Sequence, residues 1–424
     1  MNKFYNWLWA EQNNLVAKCF FWNMVGSFTL ALGTMVLTIG VNRIAGDYSG
    51  GDFAMSLAVG QLMSTIGYFE TRTYQVTDTH KAFQFSDYYI TRFVTDVIMI
   101  LSSVGYIFIK GYTFEKAILV FLLCIYKMID TFADVFEGEF QQNERLDISG
   151  KSLTLRTVLS IIAILVCLSI SHNLYFSMFG GIIVALIVVY FTNYRIVERF
   201  TTVKVNVNLQ NIWRIILECL PLFISSFMMT YILNASRYAV ESCMPSNIQS
   251  KYTAIFLPVS TINLLIGFIF KPMLTNLARK WNNGRYKEFL IVIIYIFLGI
   301  VVVTVVTLLG AYLLGIPVLS LLYKTSLDGF KFSLLILLVG GGINSANVIL
   351  YYALSVMRKQ KSILLAYGIT FLSSLLIPNY LTQQSGVQGA AYSFVIVMAI
   401  LLFVSIFVFA FFFIKRDKFM QENG

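Results

Sequence analysis

Residues 332–356, FSLLILLVGGGINSANVILYYALSV, carry no charged side chain, and apolar runs of this length recur along the whole 424-residue chain. Crossing about 30 Å of hydrocarbon takes about 20 residues of α-helix, and only helices or closed barrels satisfy their backbone groups there. The runs have helix length and no alternation of period two, so each reads as a membrane-spanning helix. Composition agrees, with 58% hydrophobic and 12% charged residues, about half the charge of an ordinary soluble domain.

The spacing predicts twelve spans, near 19–41, 52–71, 93–109, 117–136, 153–171, 174–194, 213–235, 252–270, 289–313, 332–356, 363–380 and 387–414. The fold class expected is therefore an all-α integral membrane protein. Residues 1–18 read as an interfacial amphipathic helix with Phe4, Trp7, Leu8 and Leu15 dipping into the headgroups, since no small-residue cleavage site follows and the next run is too long for a signal-peptide core. Spans 1–6 form an N-lobe, 19–194, and spans 7–12 a C-lobe, 213–414. The longest linker, 195–212, separates them, and 415–424 form a tail. Two halves of six helices suggest an internal repeat.

With both termini placed in the cytoplasm, the great majority of the 31 lysines and arginines fall in inner segments. The basic pI is thus a topology signal, with no nucleic-acid partner implied. No connection is long enough for a folded soluble domain. Cys19, Cys124, Cys167, Cys219 and Cys243 form no C-x-x-C pair, and His80 and His172 lie in different loops, so neither a disulfide framework nor a metal site is expected. Walker A, D-x-D, H-E-x-x-H and Ser-His-Asp patterns are absent. No enzyme chemistry is indicated and no cofactor expected.

Charges inside spans cost roughly 2.5–3.5 kcal/mol each at a helix centre and need a reason. Lys127, Asp130, Asp134 and Glu137 share one helical face, with Asp96 at similar depth in the preceding span and Glu218 beside Pro221 in the seventh. This acidic group reads either as an ion pair holding helices together or as a site for coupling to H+ or Na+. With Lys127 the one cation near them, Asp96, Asp130 and Asp134 leave about two uncompensated negative charges if all ionise, so at least one should bind a proton or cation. The first and seventh spans end in matching i,i+4 pairs, Arg43–Asp47 and Arg237–Glu241. They serve either as helix-end ion pairs or as two gate arginines for a phosphate or carboxylate. The glycine clusters Gly180–Gly181 and Gly340-Gly341-Gly342 mark either bending points or close helix contacts.

The polar stretch Arg72-x-Tyr74-Gln75-Val76-x-Asp78, followed by Phe85-x-x-Tyr88 and Arg92, is similar to the inner loop after the second span of Wzx-like flippases. These form the polysaccharide-transporter branch of the MOP (multidrug/oligosaccharidyl-lipid/polysaccharide) superfamily. ADVFEGEFQQNERLDISGKSLTLR (Ala133 to Arg156), ECLPLFISSF (Glu218 to Phe227), NASRYAV (Asn234 to Val240) and GVQGAA (Gly386 to Ala391) resemble that branch in the same order. The resemblance implies a two-lobed MATE-like bundle in the bacterial cytoplasmic membrane. It further implies translocation of an undecaprenyl-diphosphate-linked oligosaccharide to the outer leaflet by alternating access, for cell-surface polysaccharide biosynthesis. Expected partners are the polyprenyl-diphosphate-linked glycan, membrane lipids, and a glycan polymerase and glycosyltransferases. Arg43, Arg72, Tyr74, Gln75, Asp78, Arg92, Arg214 and Arg237 are the candidate diphosphate and glycan residues, and Asp96, Lys127, Asp130, Asp134 and Glu218 the candidate coupling residues. The alternative is a cation-coupled multidrug antiporter of the same superfamily, favoured by the excess of acids within the spans.

Single cysteines at Asp78 and Arg279 should react with reagents delivered from the cytoplasm, and those at Ser246 and Thr325 with impermeant reagents outside intact cells. The reverse pattern would overturn the orientation.

Overall fold

The computed structural model describes residues 5, 7–8, 15–78, 82–201, 207–270, 274–357 and 359–421. Most of the expected N-terminal interfacial helix, His80, residues 202–206 of the linker and the last three residues of the tail lie outside these.

Every long apolar run is helical. Helices are α1 (Leu15–Tyr68), α2 (Thr71–Thr77), α3 (Phe85–Lys110), α4 (Phe114–Gln142), α5 (Leu146–Ser171) and α6 (Leu174–Val189), which a π-helical turn extends. They continue with α7 (Leu209–Cys243), α8 (Ser246–Phe270), α9 (Leu274–Asn282), α10 (Tyr286–Gly310), α11 (Ile316–Tyr323), α12 (Lys331–Val356) and α13 (Gln360–Gln421). Among the described residues, eight helical stretches are long and apolar enough to cross a membrane by length and composition. The protein is a multi-pass membrane protein.

Two of these helices are interrupted. At Gly46 the backbone takes φ 85°, and at Ser385–Gly386 it takes φ −128° and 58°. The glycines tolerate the left-handed region that a side chain would resist. Across the first break, Asn42 Nδ2 donates to Asp47 Oδ1 at 3.1 Å, so the chain's own polar groups serve the interruption. α4 has spanning length but carries Lys127, Asp130 and Asp134 in its apolar stretch.

The chain divides into two compact units, 1–230 and 231–424, with the boundary inside α7. In the first unit, α1 lies along α5 with Gly26, Gly33 and Gly40 facing it, seven residues apart. Small residues at this spacing let two backbones approach where no hydrophobic driving force separates helix from lipid. Gly150 of α5 is the tightest point, since a Cβ there would stand 2.2 Å from the Trp22 carbonyl oxygen. Gly181 meets Ile164, Gly340 meets Phe394 and Gly342 meets Thr304 in the same way. Because α6 and α12 run through these glycines as continuous helices, close packing accounts for them.

One apolar cluster of the first unit gathers Leu37, Phe53, Leu123, Ile164 and Met178, and another gathers Phe85, Phe136, Phe140, Ile148 and Ile215. Leu8 belongs to the second cluster and is fully buried. Expected among the headgroups, it is held inside because Lys151 donates to the carbonyls of Trp7 and Leu8 at 3.0 and 3.3 Å and stands over the Trp7 and Trp22 rings. In the second unit, Phe256 packs edge-on to Phe394, with their ring centres 5.0 Å apart, and Asn347 donates to the Met398 carbonyl.

Gly150→Ala should lower stability by about 1–3 kcal/mol, the usual cost of overpacking. Gly105→Ala, which meets open space, should hold or raise it, since alanine is the better helix former. Thermal unfolding of the two variants in detergent checks the contrast, and equal melting temperatures would refute the close α1–α5 contact.

Candidate functional site

The polar centre of the first unit is a chain of seven alternating charges. Lys127 Nζ donates to Asp130 Oδ2 at 3.0 Å, and Arg156 Nε to Asp130 Oδ1 at 2.9 Å. Arg156 Nη1 then reaches Glu137 Oε1 at 3.0 Å, and Arg72 Nη1 reaches both Glu137 Oε2 at 3.1 Å and Asp134 Oδ1 at 2.8 Å. Arg92 Nη2 closes the series on Asp134 Oδ2 at 2.8 Å. Each of the three carboxylates thus has two cationic partners, and four helices, α2, α3, α4 and α5, are tied together.

Local sequence explains the geometry. Asp130, Asp134 and Glu137 recur at helical spacing, so one face of α4 presents all three. Arg156 sits ten residues into α5, deep enough to reach that face, and its side chain is only 3% exposed. Arg92 is completely buried. Its Nη1 donates to the Gly67 carbonyl and its guanidinium lies 5.7 Å from the Tyr68 ring. Gln141 Oε1 accepts from Arg72 Nε and Nη2. Such pairing is what a low-dielectric surrounding demands, because an ion left alone there costs several kcal/mol.

Asp96 stands apart from the series. Its Oδ1 accepts from Thr131 Oγ1 at 2.6 Å, and its Oδ2 is buried with no hydrogen-bond partner. One helical turn away, the Nε of Arg92 is likewise buried without a partner. The expected excess of negative charge is therefore not what the structure holds. Arg72, Arg92 and Arg156, counted from the sequence as inner-loop and helix-end residues, reach the acids and balance them.

The polar stretch after α1 is organised by Asp78. Its carboxylate accepts from the Ala82 and Phe83 amides at 2.9 and 3.1 Å and from the Tyr88 hydroxyl at 3.1 Å. Gln75 is buried and extends Nε2 towards Glu139 at 3.5 Å, packed where Gly138 leaves room. Tyr74 is half-buried beside Phe83, over which the exposed Arg214 lies at 5.5 Å. Glu218, one turn beyond Arg214, is also exposed. Arg72 and Arg92, which the sequence reading groups with the diphosphate ligands, and Asp130, Asp134 and Lys127, which it groups with the coupling residues, form one connected object.

The two helix-end arginines differ. Arg43 is exposed beside the α1 break and pairs with no acid among the described residues, while Asp47 accepts from Asn42. In the second unit Arg237 lies 4.3 Å from the Phe256 ring centre and donates to Asn234 Oδ1 at 3.3 Å. Tyr238, Tyr252 and Tyr323 surround it. Sequence reasoning did not find Arg156, Tyr252 or Tyr323 as members of these clusters. An arginine ten residues inside an apolar helix was the available signal for Arg156.

No family model matches the chain. The capsular polysaccharide biosynthesis protein CapF of Staphylococcus aureus is 25% identical over 279 residues, covering 62% of this chain and 68% of that protein. Among solved structures, an inward-facing multidrug resistance MATE family transporter of the MOP superfamily superposes with TM-score 0.69 at 12% identity, over 93% of this chain and 96% of that one. A MOP superfamily transporter from Pyrococcus furiosus, whose binding pocket is described as reversed in polarity, gives TM-score 0.62 at 13% identity over 95% of both chains. The fold is that of the MATE transporters, and the resemblance read from the ordered motifs holds against both kinds of comparison.

Arg156→Ala leaves Asp130 with Lys127 alone and Glu137 with Arg72 alone and should lower the unfolding free energy by about 1.5–3 kcal/mol, the scale of a lost hydrogen bond to a charged group. Asp96→Asn, which keeps an acceptor for Thr131, should change it by less than about 0.5 kcal/mol. Chemical unfolding of both variants in detergent tests this; an Arg156→Ala variant as stable as wild type would refute the series as drawn.

Proposed function

We propose that this protein is a transporter that carries an undecaprenyl-diphosphate-linked oligosaccharide from the inner to the outer leaflet of the bacterial cytoplasmic membrane. The carrying observation is the 25% identity to a capsular polysaccharide biosynthesis protein across most of that protein's length, on a chain whose fold is that of MOP superfamily transporters. On this reading the chain spans the membrane twelve times, with both termini in the cytoplasm. The breaks in α1 and α13 each divide one continuous helix into two crossings, and α4 and α8 supply the remaining two.

Physical chemistry supports the assignment over drug export. The cation-antiporter reading drew on uncompensated acids, and Arg72, Arg92, Arg156 and Lys127 answer Asp130, Asp134 and Glu137. A lipophilic cation gains little from carboxylates already paired in this way. A glycan head needs instead a polar route while its polyprenyl tail stays in lipid. Tyr74, Gln75, Asp78 and Arg214 supply hydroxyl, amide, carboxylate and guanidinium groups at one end of the first unit, and Arg43 and Arg237 are the arginines suited to the diphosphate.

Coupling, on the same reading, runs through Asp96. A proton on Oδ2 relieves a buried, unpaired carboxylate oxygen. Loss of that proton would leave a charge one turn from Arg92 and compete with Asp134 for its guanidinium. Two arrangements of one arginine would then correspond to two protonation states. Glycosyltransferases supply the loaded carrier, and a polymerase consumes it.

Cells lacking the protein should accumulate lipid-linked oligosaccharide in the inner leaflet and lose surface polysaccharide, with no gain in sensitivity to ethidium. In a complementation assay Asp96→Asn should reach normal abundance while export no longer responds to the imposed pH gradient. Restored dye resistance without restored polysaccharide would replace this reading with the drug antiporter.

A further inference from the structure

A second polar feature lies in the other unit, far along the chain from the charge series. Helix α9 is short and two-sided. Leu277 is buried and Trp281, one turn on, packs its ring edge-on to Tyr286 and tilted against Phe289, each with ring centres 5.0 Å apart. Arg279 is exposed on the opposite side. The helix ends in a tight turn in which the Asn283, Gly284 and Arg285 amides donate to the carbonyls of Arg279, Trp281 and Lys280 at 3.0, 3.1 and 2.9 Å. Gly284, at φ 74°, permits the reversal.

This turn brings Arg279, Lys280, Asn283 and Arg285 around one open cavity of about 380 Å³. With the last carbonyls of α9 already occupied by backbone amides, their negative ends do not compete for the cavity. Charge is strongly one-sided. Lys287 adds a further cation in sequence, and among the described residues Glu288 is the acid paired there, with Lys280 and 3.9 Å from Arg285 Nη1. Among the described residues Arg279 has no ion-pair partner. The cavity opens at the start of α10, where a candidate membrane span begins at Tyr286, and tryptophan and tyrosine beside basic residues are what a membrane–water boundary selects.

We infer that this corner is a binding site for the phosphate headgroup of a membrane lipid. Arg279 and Arg285 present planar guanidinium groups suited to two phosphate oxygens, Lys280 adds a point charge, and Asn283 an amide donor. Trp281 and Tyr286 hold the site at headgroup depth while acyl chains remain in hydrocarbon. Basic pockets at the ends of spanning helices take anionic lipid heads by this chemistry. The phosphate has two sources, a resident anionic phospholipid or a polyprenyl phosphate, and the inference does not depend on what the protein transports.

Native mass spectrometry of the full-length protein released from detergent, with phosphatidylglycerol or phosphatidylethanolamine added, tests it. Wild type should retain phosphatidylglycerol adducts in preference, and the double variant Arg279→Gln/Arg285→Gln should retain about tenfold fewer, as expected for losing two charge-assisted hydrogen bonds. The double lysine variant, which keeps the charge and loses the planar fork, should fall between the two. Undecaprenyl phosphate added in competition separates the sources: displacement assigns the site to the carrier lipid, and no displacement assigns it to phospholipid. The single substitution Arg279→Glu, at an exposed position, repeats the comparison if the double variant unfolds. Equal retention by wild type and the glutamine variant, or by wild type and Arg279→Glu, overturns the inference.

Discussion

Hydrocarbon does not tolerate an isolated charge, and the first unit is organised around that fact. Seven ionised groups from Lys127 to Arg92 alternate in sign through four helices, so that no carboxylate among Asp130, Asp134 and Glu137 lacks a cation. The helices that supply them cannot slide independently, because moving one leaves a buried ion without its partner. α2, a two-turn helix that follows α1, is tied to α4 through Arg72 and Gln75. The polar stretch that follows is then closed by the Asp78 carboxylate on its own backbone amides.

The same constraint makes Asp96 informative. It lies within the helix that carries Arg92, shares a neighbour with it in Gly67, and is the acid of this region whose outer oxygen has no partner. A network that is complete without a residue can be perturbed by that residue. Asp134, by contrast, is fixed by two arginines, which suits it to holding the bundle together more than to exchanging a cation.

Much of this was legible in the sequence, for physical reasons that can be traced. The helices follow from apolar runs, and Gly46 and Gly386 fall in the gaps that the spacing leaves between runs, but nothing local marked them as left-handed breaks within α1 and α13. The face shared by Asp130, Asp134 and Glu137 follows from helical period. Their cationic partners did not, because Arg72, Arg92 and Arg156 come from three other helices and no local pattern records which face of a neighbour they meet. Arg43 and Asp47 have ion-pair spacing, yet the break at Gly46 takes them off a common helix and gives Asp47 to Asn42. Leu8 read as a headgroup residue because its burial is decided by Lys151, more than a hundred residues away. The enclosure of Arg237 by Tyr252 and Tyr323 was hidden in the same way.

The central claim, that a lipid-linked oligosaccharide is the cargo, is tested most directly with the purified protein in liposomes. An undecaprenyl-diphosphate-linked oligosaccharide placed in both leaflets can be modified from outside by impermeant periodate. In protein-free vesicles about half should react, that being the outer-leaflet share. Vesicles containing the protein should bring nearly the whole pool within reach of the reagent. If the protected half persists in protein-containing vesicles that exchange ethidium for protons, the account is contradicted and the cargo is a cationic drug.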